Sequence, residues 1–164
     1  MKRNLLPLMF FAAFALLAVA IAVDCVRLAN DASERVQLAD AELIKYEQRL
    51  ATLLDASPHA TPEVKSALAD YRSAKRWETR HAAYEKLAAS FQQTMSTTLD
   101  ATNPLDRKFM DDTAGAINRR QVAEKPFDEE LATYQAFLKS WRGTIARMIS
   151  PAARADDTLA EKPE

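Results

Sequence analysis

Glycine is almost absent from this chain of 164 residues, which contains only Gly115 and Gly143. Tight turns in strand-rich domains depend on residues that tolerate positive φ, and glycine above all. An all-β or doubly wound fold is therefore difficult to build from this composition. The most frequent residues instead include Ala, Leu, Glu, Lys, Gln and Arg, which form helices well. The composition favours an all-α fold.

The chain also has little cysteine and no excess of either charge. Its single cysteine, Cys25, excludes a disulfide within the chain, so apolar packing must hold the fold together. The formal net charge is −1. The sequence has no basic stripe that would suit a phosphate backbone, and we therefore expect no nucleic-acid partner.

Sequence motifs that usually mark catalysis are missing too. There is no Gly-rich phosphate loop, no Ser–His–Asp set and no zinc motif. Neither His59 nor His81 has a second His or Cys three or four residues away. His81 has Glu78 and Glu85 at helical spacing, but a surface or seam histidine explains it more simply. We predict no metal site, no cofactor and no catalysis.

One long apolar run lies near the N-terminus. Leu5 to Val23 spans 19 residues, is apolar apart from one proline, and follows Lys2 and Arg3. A helix of that length spans ~28 Å, close to the ~30 Å hydrocarbon core of a bilayer. Because basic residues stay on the cytoplasmic side, the rest of the chain should lie outside the cytoplasm. We predict that residues 1–23 are a cytoplasmic basic start and a transmembrane anchor held by lipid of the inner (plasma) membrane.

A cleaved signal peptide is the alternative for the same run, and it would give a secreted protein. Ala18-Val19-Ala20 and Ala20-Ile21-Ala22 both resemble the small-x-small cleavage pattern. However, no proline or glycine occurs from Leu8 to Ser57, so a helix is expected to continue across these positions. The uncleaved anchor is the preferred interpretation.

Apolar residues beyond the anchor repeat at helical spacing in three segments. The first runs from Asp24 to about Asp55, and its seam advances by steps of three and four. The seam consists of Ala29, Ala32, Val36, Ala39, Leu43, Tyr46, Leu50 and Leu53. Together with the apolar run, this segment predicts one continuous helix of roughly 50 residues.

The second segment runs from Pro62 to about Asp100. Thr61 is a suitable N-cap, and Pro62 suits the first helical position. Two apolar faces follow, out of register with each other by one position. They are Val64, Leu68 and Tyr71, and then Tyr84, Ala88, Phe91, Met95 and Thr98. Either the helix is locally overwound or it breaks between Lys75 and Arg80, and the pattern leaves both open.

The third segment begins at Pro104, with Asn103 as its cap, and ends at about Ile149. Pro126 lies in its middle and should kink or split the helix. The second half has the clearest seam in the sequence, formed by Phe127, Leu131, Tyr134, Leu138, Trp141, Ile145 and Met148.

Long helices joined by short turns favour antiparallel neighbours. The sequence therefore predicts a transmembrane helix that continues into an elongated antiparallel bundle of three or four long helices, with residues 24–150 as the bundle domain. Residues 151–164 are rich in alanine, acidic residues and proline, and we predict a disordered tail there.

The seam of the third segment becomes polar when it is extended backwards. It reaches Glu124 and Arg120 before it meets Ile117 and Thr113. Arg120 and Glu124 are four residues apart on one helical face, so they form either an exposed ion pair or a polar layer that fixes register or receives a partner. The neighbouring Asn118 and Arg119 complete our candidate contact surface, which consists of Asn118, Arg119, Arg120 and Glu124.

The third segment also resembles the LemA family of membrane-anchored helical proteins. That family has an Asn-containing helix followed by Tyr-Asn pairs seven residues apart. Here Asn118 opens the stretch NRRQVA, and Phe127-Asp128 and Tyr134-Gln135 keep the seven-residue step with altered residues. Glu124 replaces an arginine that usually precedes the first aromatic residue.

A weaker similarity to the LemA family lies beyond the anchor, in the stretch VRLAN at 26–30. The family's paired arginines and aromatic segment further along are not reproduced. The resemblance implies an N-terminal anchor, a long antiparallel bundle outside the cytoplasm and no established enzymatic activity.

These observations favour a structural or protein-interaction module of the cell envelope. Its partner would be another envelope protein or a second copy of the chain. The alternative is a small-ligand or ion sensor with a cavity between helices, which Trp77, Tyr84 and Trp141 could line.

Overall fold

A computed structural model describes the backbone of residues 5–150, with the side chains of residues 9–94 and 98–150. Within that range the chain forms five helices and no strand, which confirms the all-α prediction. The helices are α1 (Leu5–Asp55), α2 (Pro62–Ser73), α3 (Trp77–Thr98), α4 (Pro104–Lys139) and α5 (Trp141–Ile149). The expected three or four helices are exceeded because the second and third segments each break once. The predicted tail at 151–164 lies outside the described residues.

Helix α1 is continuous over 51 residues, as the pattern predicted. Four of its seam positions, Ala29, Val36, Leu43 and Leu50, are buried. At the other seam positions, however, the buried residues are Ser33, Glu47 and Leu54, each one position later than the expected Ala32, Tyr46 and Leu53. A residue four positions along a helix is rotated by only about 40° from the first, whereas three positions give about 60°. Ser33, Glu47 and Leu54, each four residues after a buried seam position, are therefore closer in angle to that position than Ala32, Tyr46 and Leu53 are.

Helices α2 and α3 show that the second segment breaks rather than overwinds. Thr61 Oγ1 accepts a hydrogen bond from the Val64 backbone N–H at 3.4 Å, as expected of the N-cap of α2. Ala74 and Arg76 have extended backbone conformations between the two helices. The break explains why the two faces, both buried up to Phe91, are out of register. Thr98 is exposed, and the side chain of Met95 lies outside the described residues.

Helix α4 begins as predicted, because Asn103 Oδ1 accepts from the Leu105 backbone N–H at 3.0 Å. Pro126 lies inside this helix of 36 residues, so the interpretation in which it splits the helix is wrong. A proline removes one backbone donor, and the helix tolerates that loss where the following turns are packed. Phe127 and Leu131, which follow directly, are buried.

The break in the third segment occurs at Ser140 instead. The predicted seam is buried through Leu138, but Trp141 and Met148 are 60% and 70% exposed. Ser140 caps a new helix, which resets the helical phase, so that Gly143 and Ala146 are the buried residues of α5.

The described chain divides into two compact units. Among the described residues, the first unit contains α1 up to Gln37 and residues 130–150. Cys25, Ala29 and Ala146 form a buried cluster in it, with Phe137 and Ile145 packed against it. The second unit comprises Leu38–Glu129. Its larger core draws residues from α1, α2, α3 and α4, among them Leu50, Leu54, Val64, Ala67, Leu68, Tyr71, Tyr84, Leu87, Phe91 and Ile117.

Candidate functional site

Charged side chains from three helices of the second unit meet around two buried residues, Arg120 and Glu47. Asp40 and Glu47 come from α1, Arg80, His81 and Glu85 from α3, and Arg120 and Glu124 from α4. We call these seven residues the buried charge network. Arg120 and Glu47 are its most enclosed members, because each residue is only 1% exposed. Charged residues are seldom so deeply buried unless they are paired.

Arg120 binds partners on all three helices. Its Nη1 lies 2.7 Å from Glu124 Oε2 and 3.2 Å from Glu85 Oε1. Its Nη2 lies 2.6 Å from His81 Nδ1, and its Nε lies 3.6 Å from Glu47 Oε1. The planar guanidinium thus connects α1, α3 and α4 through donors of fixed direction, which a lysine ammonium does not offer.

Glu47 connects the two arginines of the network. Its Oε2 accepts from Arg80 Nε at 3.1 Å and from the Tyr71 hydroxyl at 3.4 Å. Arg80 also forms an ion pair with Asp40, about two helical turns before Glu47 on α1. Asp40 and Glu47 are seven residues apart, so both lie on the same face of α1, opposite the start of α3.

Aromatic rings enclose the network. The Arg120 guanidinium lies 4.7 Å from the centroid of the Tyr84 ring. Trp77 stacks on His81 at 5.5 Å and on Phe127 at 5.2 Å, measured between ring centroids. The pair formed by Arg120 and Glu47 lies away from water, which strengthens that pair but also makes the loss of one partner more costly.

Burial shifts the acid–base behaviour of this region. Loss of water raises the pKa of Glu47, although the positive charges of Arg80 and Arg120 oppose that shift. The pKa values of Tyr71 and Tyr84 are raised as well, chiefly by burial, so both phenols stay protonated at neutral pH. Glu47 is the carboxyl of the network for which burial favours proton uptake.

Two buried polar atoms in this region have no hydrogen-bond partner, the Tyr84 hydroxyl and Arg120 Nε. The Arg120 Nε faces Glu47 at ion-pair distance only. The charges of the network are thus paired with one another. Hydrogen bonding is incomplete at Arg120 Nε and at the hydroxyl of the neighbouring Tyr84.

The four predicted contact residues separate into two pairs. Asn118 and Arg119 are exposed on α4. Arg120 is buried, and the side chain of Glu124, 32% exposed, is its closest carboxylate partner. The geometry of Arg120 and Glu124 is therefore that of a polar layer inside the unit, not of an exposed ion pair.

The residues considered for a ligand cavity or a metal site do not meet at one place. Trp77 and Tyr84 are packed in or beside the network, and Trp141 is exposed on α5. His59 lies 3.2 Å from Asp106. Among the residues that the structure describes, no group of three or more His, Cys, Asp or Glu side chains could hold a metal ion.

Glu47, Arg80 and Asp40 are not predicted by the sequence, because a seam defined by apolar residues does not include charged ones. Glu47 lies four residues after Leu43 and three before Leu50, which is seam spacing. That spacing was a usable signal, but Tyr46 also fits it and is apolar. No sequence pattern links Arg80 to α1, since their pairing depends on how α3 packs.

Comparison with known proteins finds no matching family, no matching curated protein and no matching solved structure. Membership of the LemA family therefore remains a prediction from the motifs.

Proposed function

We propose that this protein is a single-pass inner-membrane protein whose N-terminal part of α1 is the anchor and whose later helices form a periplasmic interaction or structural module without catalysis. The proposal has two parts, the anchor and the interaction surface, and they depend on different residues.

The exposed apolar stretch of α1 carries the anchor. Among the described residues, one helix near the N-terminus is long and apolar enough to cross a membrane, and its most apolar window has a mean hydropathy of 2.5 with only 6% of the window buried. Its large apolar side chains face outward on every side of the helix, namely Met9, Phe10, Phe11, Phe14, Leu16, Leu17, Val19, Ile21 and Val23. Such a surface is unfavourable in water and suits lipid on all sides.

The place where packing begins agrees with this assignment. Residues 9–21 and Val23 are exposed, and Cys25 is the first buried residue of α1. Asp24, which is exposed, separates the two regions. Helix α1 continues through both without interruption, which favours an anchor over a cleaved signal because cleavage requires an extended backbone at the cut.

We also infer that the helices of the second unit form an antiparallel bundle. Short connections at 56–61, 74–76 and 99–103 join them, and all four contribute to one core. Short connections between packed helices favour antiparallel neighbours.

The interaction surface would include Asn118 and Arg119, the exposed members of the predicted contact set. The adjacent buried charge network would hold this part of α4 in a fixed orientation. The partner would be another envelope protein or a second copy of the chain.

The anchor is tested on membranes that contain the full chain. We expect the protein to remain with the membranes after carbonate washing, to keep its N-terminal residues, and to be digested by protease added from the periplasmic side. A mature N-terminus near Ile21 or Val23 would overturn the anchor.

The contact surface is tested by crosslinking in the native envelope. Arg119→Ala should weaken the recovery of crosslinked partners, whereas Lys108→Ala, at another exposed position of α4, should leave it unchanged. Equal recovery from both variants would remove Asn118 and Arg119 from consideration.

A further inference from the structure

Helix α5 has an unusual distribution of side-chain sizes. Its buried residues are the small Gly143 and Ala146, whereas Trp141, Met148 and Ile149 are 60%, 70% and 53% exposed. On a helical projection Trp141, Met148 and Ile149 fall within an arc of about 100°, roughly opposite Gly143. A surface helix of a globular domain normally turns its large apolar side chains inward. In α5 only Ile145 packs against the buried cluster, and the other three large apolar side chains face outward.

The position of α5 in the first unit suggests what covers that face. Ala146 clusters with Cys25 and Ala29 of α1. Cys25 lies two residues beyond Val23, the end of the apolar run, and thus ~3 Å further along the helix axis. The headgroup region on each side of a bilayer is roughly 5–7 Å thick. If the apolar run spans the membrane, α5 is held at the depth of the headgroups.

The charges of α5 fit the same depth. From Lys139 to Ser150 the chain has three basic residues and no acidic one. The Arg142 guanidinium lies 5.3 Å from the Trp141 ring centroid. Tryptophan concentrates at membrane–water interfaces, and basic side chains beside apolar ones attract anionic headgroups.

Local contacts hold α5 in this position. Ser140 Oγ accepts from the Gly143 backbone N–H at 3.2 Å and donates to the Phe137 carbonyl at 2.6 Å. Arg147 Nη2 donates to the Leu138 carbonyl at 2.9 Å. The side chain of Arg147 thus links α5 to the end of α4, and the apolar face has a defined direction.

We infer that α5 is an interfacial helix, which inserts Trp141 and Ile149 at the boundary between lipid headgroups and acyl chains beside the anchor. This inference rests on the proposed membrane anchor. It goes further because it assigns a second lipid contact, distant in sequence from the first, and names anionic phospholipid as the ligand.

The test uses the full chain in vesicles of phosphatidylcholine and phosphatidylglycerol. Two variants, Trp77→Phe and Trp141→Phe, each retain a single tryptophan. Brominated phosphatidylcholine then reports the depth of that residue, because bromine quenches nearby indole emission. We expect bromine near the headgroup end of the acyl chains to remove most Trp141 emission, and bromine near the chain ends to remove little. The emission of Trp77, stacked between His81 and Phe127, should change little with either lipid.

A second pair of substitutions tests the same contact. In the Trp77→Phe background, Ile149→Ser should reduce the quenching of Trp141, whereas Leu105→Ser, at a leucine 77% exposed on α4, should not. Far-UV circular dichroism confirms that each variant keeps its helices.

The outcomes separate this inference from the anchor. A chain that does not float with vesicles after carbonate treatment overturns the anchor and, with it, the interfacial helix. A chain that floats while Trp141 remains unquenched overturns the interfacial helix alone. A blue-shifted Trp141 emission without quenching, accompanied by crosslinked dimers, would assign the face of α5 to a second copy of the chain.

Discussion

Arg120 determines how three helices of the second unit meet. Arg120→Ala would leave Glu85 and Glu124 without this cation, and it would leave the buried Glu47 with Arg80 as its ion-pair partner. Removing one member of a buried group of charges is costly because water cannot replace the lost counter-ion there. We expect the free energy of unfolding to fall by about 3–5 kcal/mol, measured by urea denaturation of the full chain in detergent.

The adjacent Arg119 supplies the control for that substitution. Arg119 has the same side chain, one position earlier on the same helix, but it is exposed. Arg119→Ala should change the free energy of unfolding by less than about 0.5 kcal/mol. Similar losses from both variants would show that Arg120 is not a buried ion-pair centre.

Glu47 should give stability a measurable dependence on pH. Burial raises its pKa in the folded state above the ordinary 4.5, so between these two values the folded protein holds more protons than the unfolded chain. Its contribution is therefore fully present below pH 4.5 and is lost as the pH rises through the raised pKa. Glu47→Gln cannot titrate. The stability of the natural protein relative to this variant should fall as the pH rises from 4.5 and then level off.

Chemical denaturation of both proteins across this pH range measures the difference directly, because the remaining titrating groups largely cancel in it. A relative stability that instead rises with pH would mean that Arg80 and Arg120 lower the pKa of Glu47 by more than burial raises it.

Sequence could predict the apolar part of this site but not its charges. Leu43 and Leu50 follow helical spacing and are buried as expected, and Arg120 with Glu124 emerged because the α4 seam led to them. The burial of Glu47 is not predicted by either seam, since buried carboxylates are rare and the adjacent Tyr46 fits the spacing of the α1 seam. A buried charge becomes predictable only when its counter-ion is known, and Arg80 lies on a different helix.

The junction between α4 and α5 depends on one of the two glycines. A Cβ at Gly143 would lie 2.3 Å from the Phe137 carbonyl oxygen and 2.6 Å from Leu138 Cα, both backbone atoms that cannot move aside independently. Gly143→Ala should therefore displace α5, at a cost of about 1–3 kcal/mol. Cys25 reports that displacement, because it is buried in the cluster that includes Ala146. Its labelling by a maleimide should become faster.

The other glycine is the matched control. A Cβ at Gly115 would meet no atom within 4 Å. Gly115→Ala should stabilise α4 by about 0.5–1 kcal/mol through helix propensity and leave Cys25 protected. Equal labelling of Cys25 in both variants would mean that α5 does not need the close approach at Gly143.

Helix boundaries were predictable where a cap and a breaker coincide. Thr61-Pro62 and Asn103-Pro104 start α2 and α4 as expected. The helix start at Ser140 is not predicted, because Leu138, Trp141 and Ile145 keep helical spacing across it. The apolar pattern alone therefore does not indicate that a new helix begins there. The signal was Ser140 followed three residues later by the rare Gly143, which suits an N-cap with a close backbone contact.

At the scale of the whole molecule, α1 is one helix whose two parts differ in how their side chains are buried. Its first part exposes apolar residues on all sides, and its remainder has a buried stripe from Cys25 onward. The sequence predicted both parts, because a long apolar run and a helical seam are independent signals that share one uninterrupted stretch without proline or glycine. The apolar run alone does not distinguish an anchor from a signal peptide, and the sequence favours the anchor only because no proline or glycine occurs from Leu8 to Ser57.

Helix continuity across Ala20-Ile21-Ala22 provides a last test, because signal peptidase requires an extended chain at the cut. Leu17→Pro should break α1 just before this motif, since proline removes a backbone donor and clashes with the preceding turn. We expect the variant to be cleaved after Ala22 and to leave the membrane, whereas Leu17→Ala should stay intact and anchored. Intact mass of the protein from each fraction measures the outcome. If Leu17→Pro remains full length, helix continuity would not be what protects the proposed anchor from cleavage, and its retention would depend on its length and hydrophobicity instead.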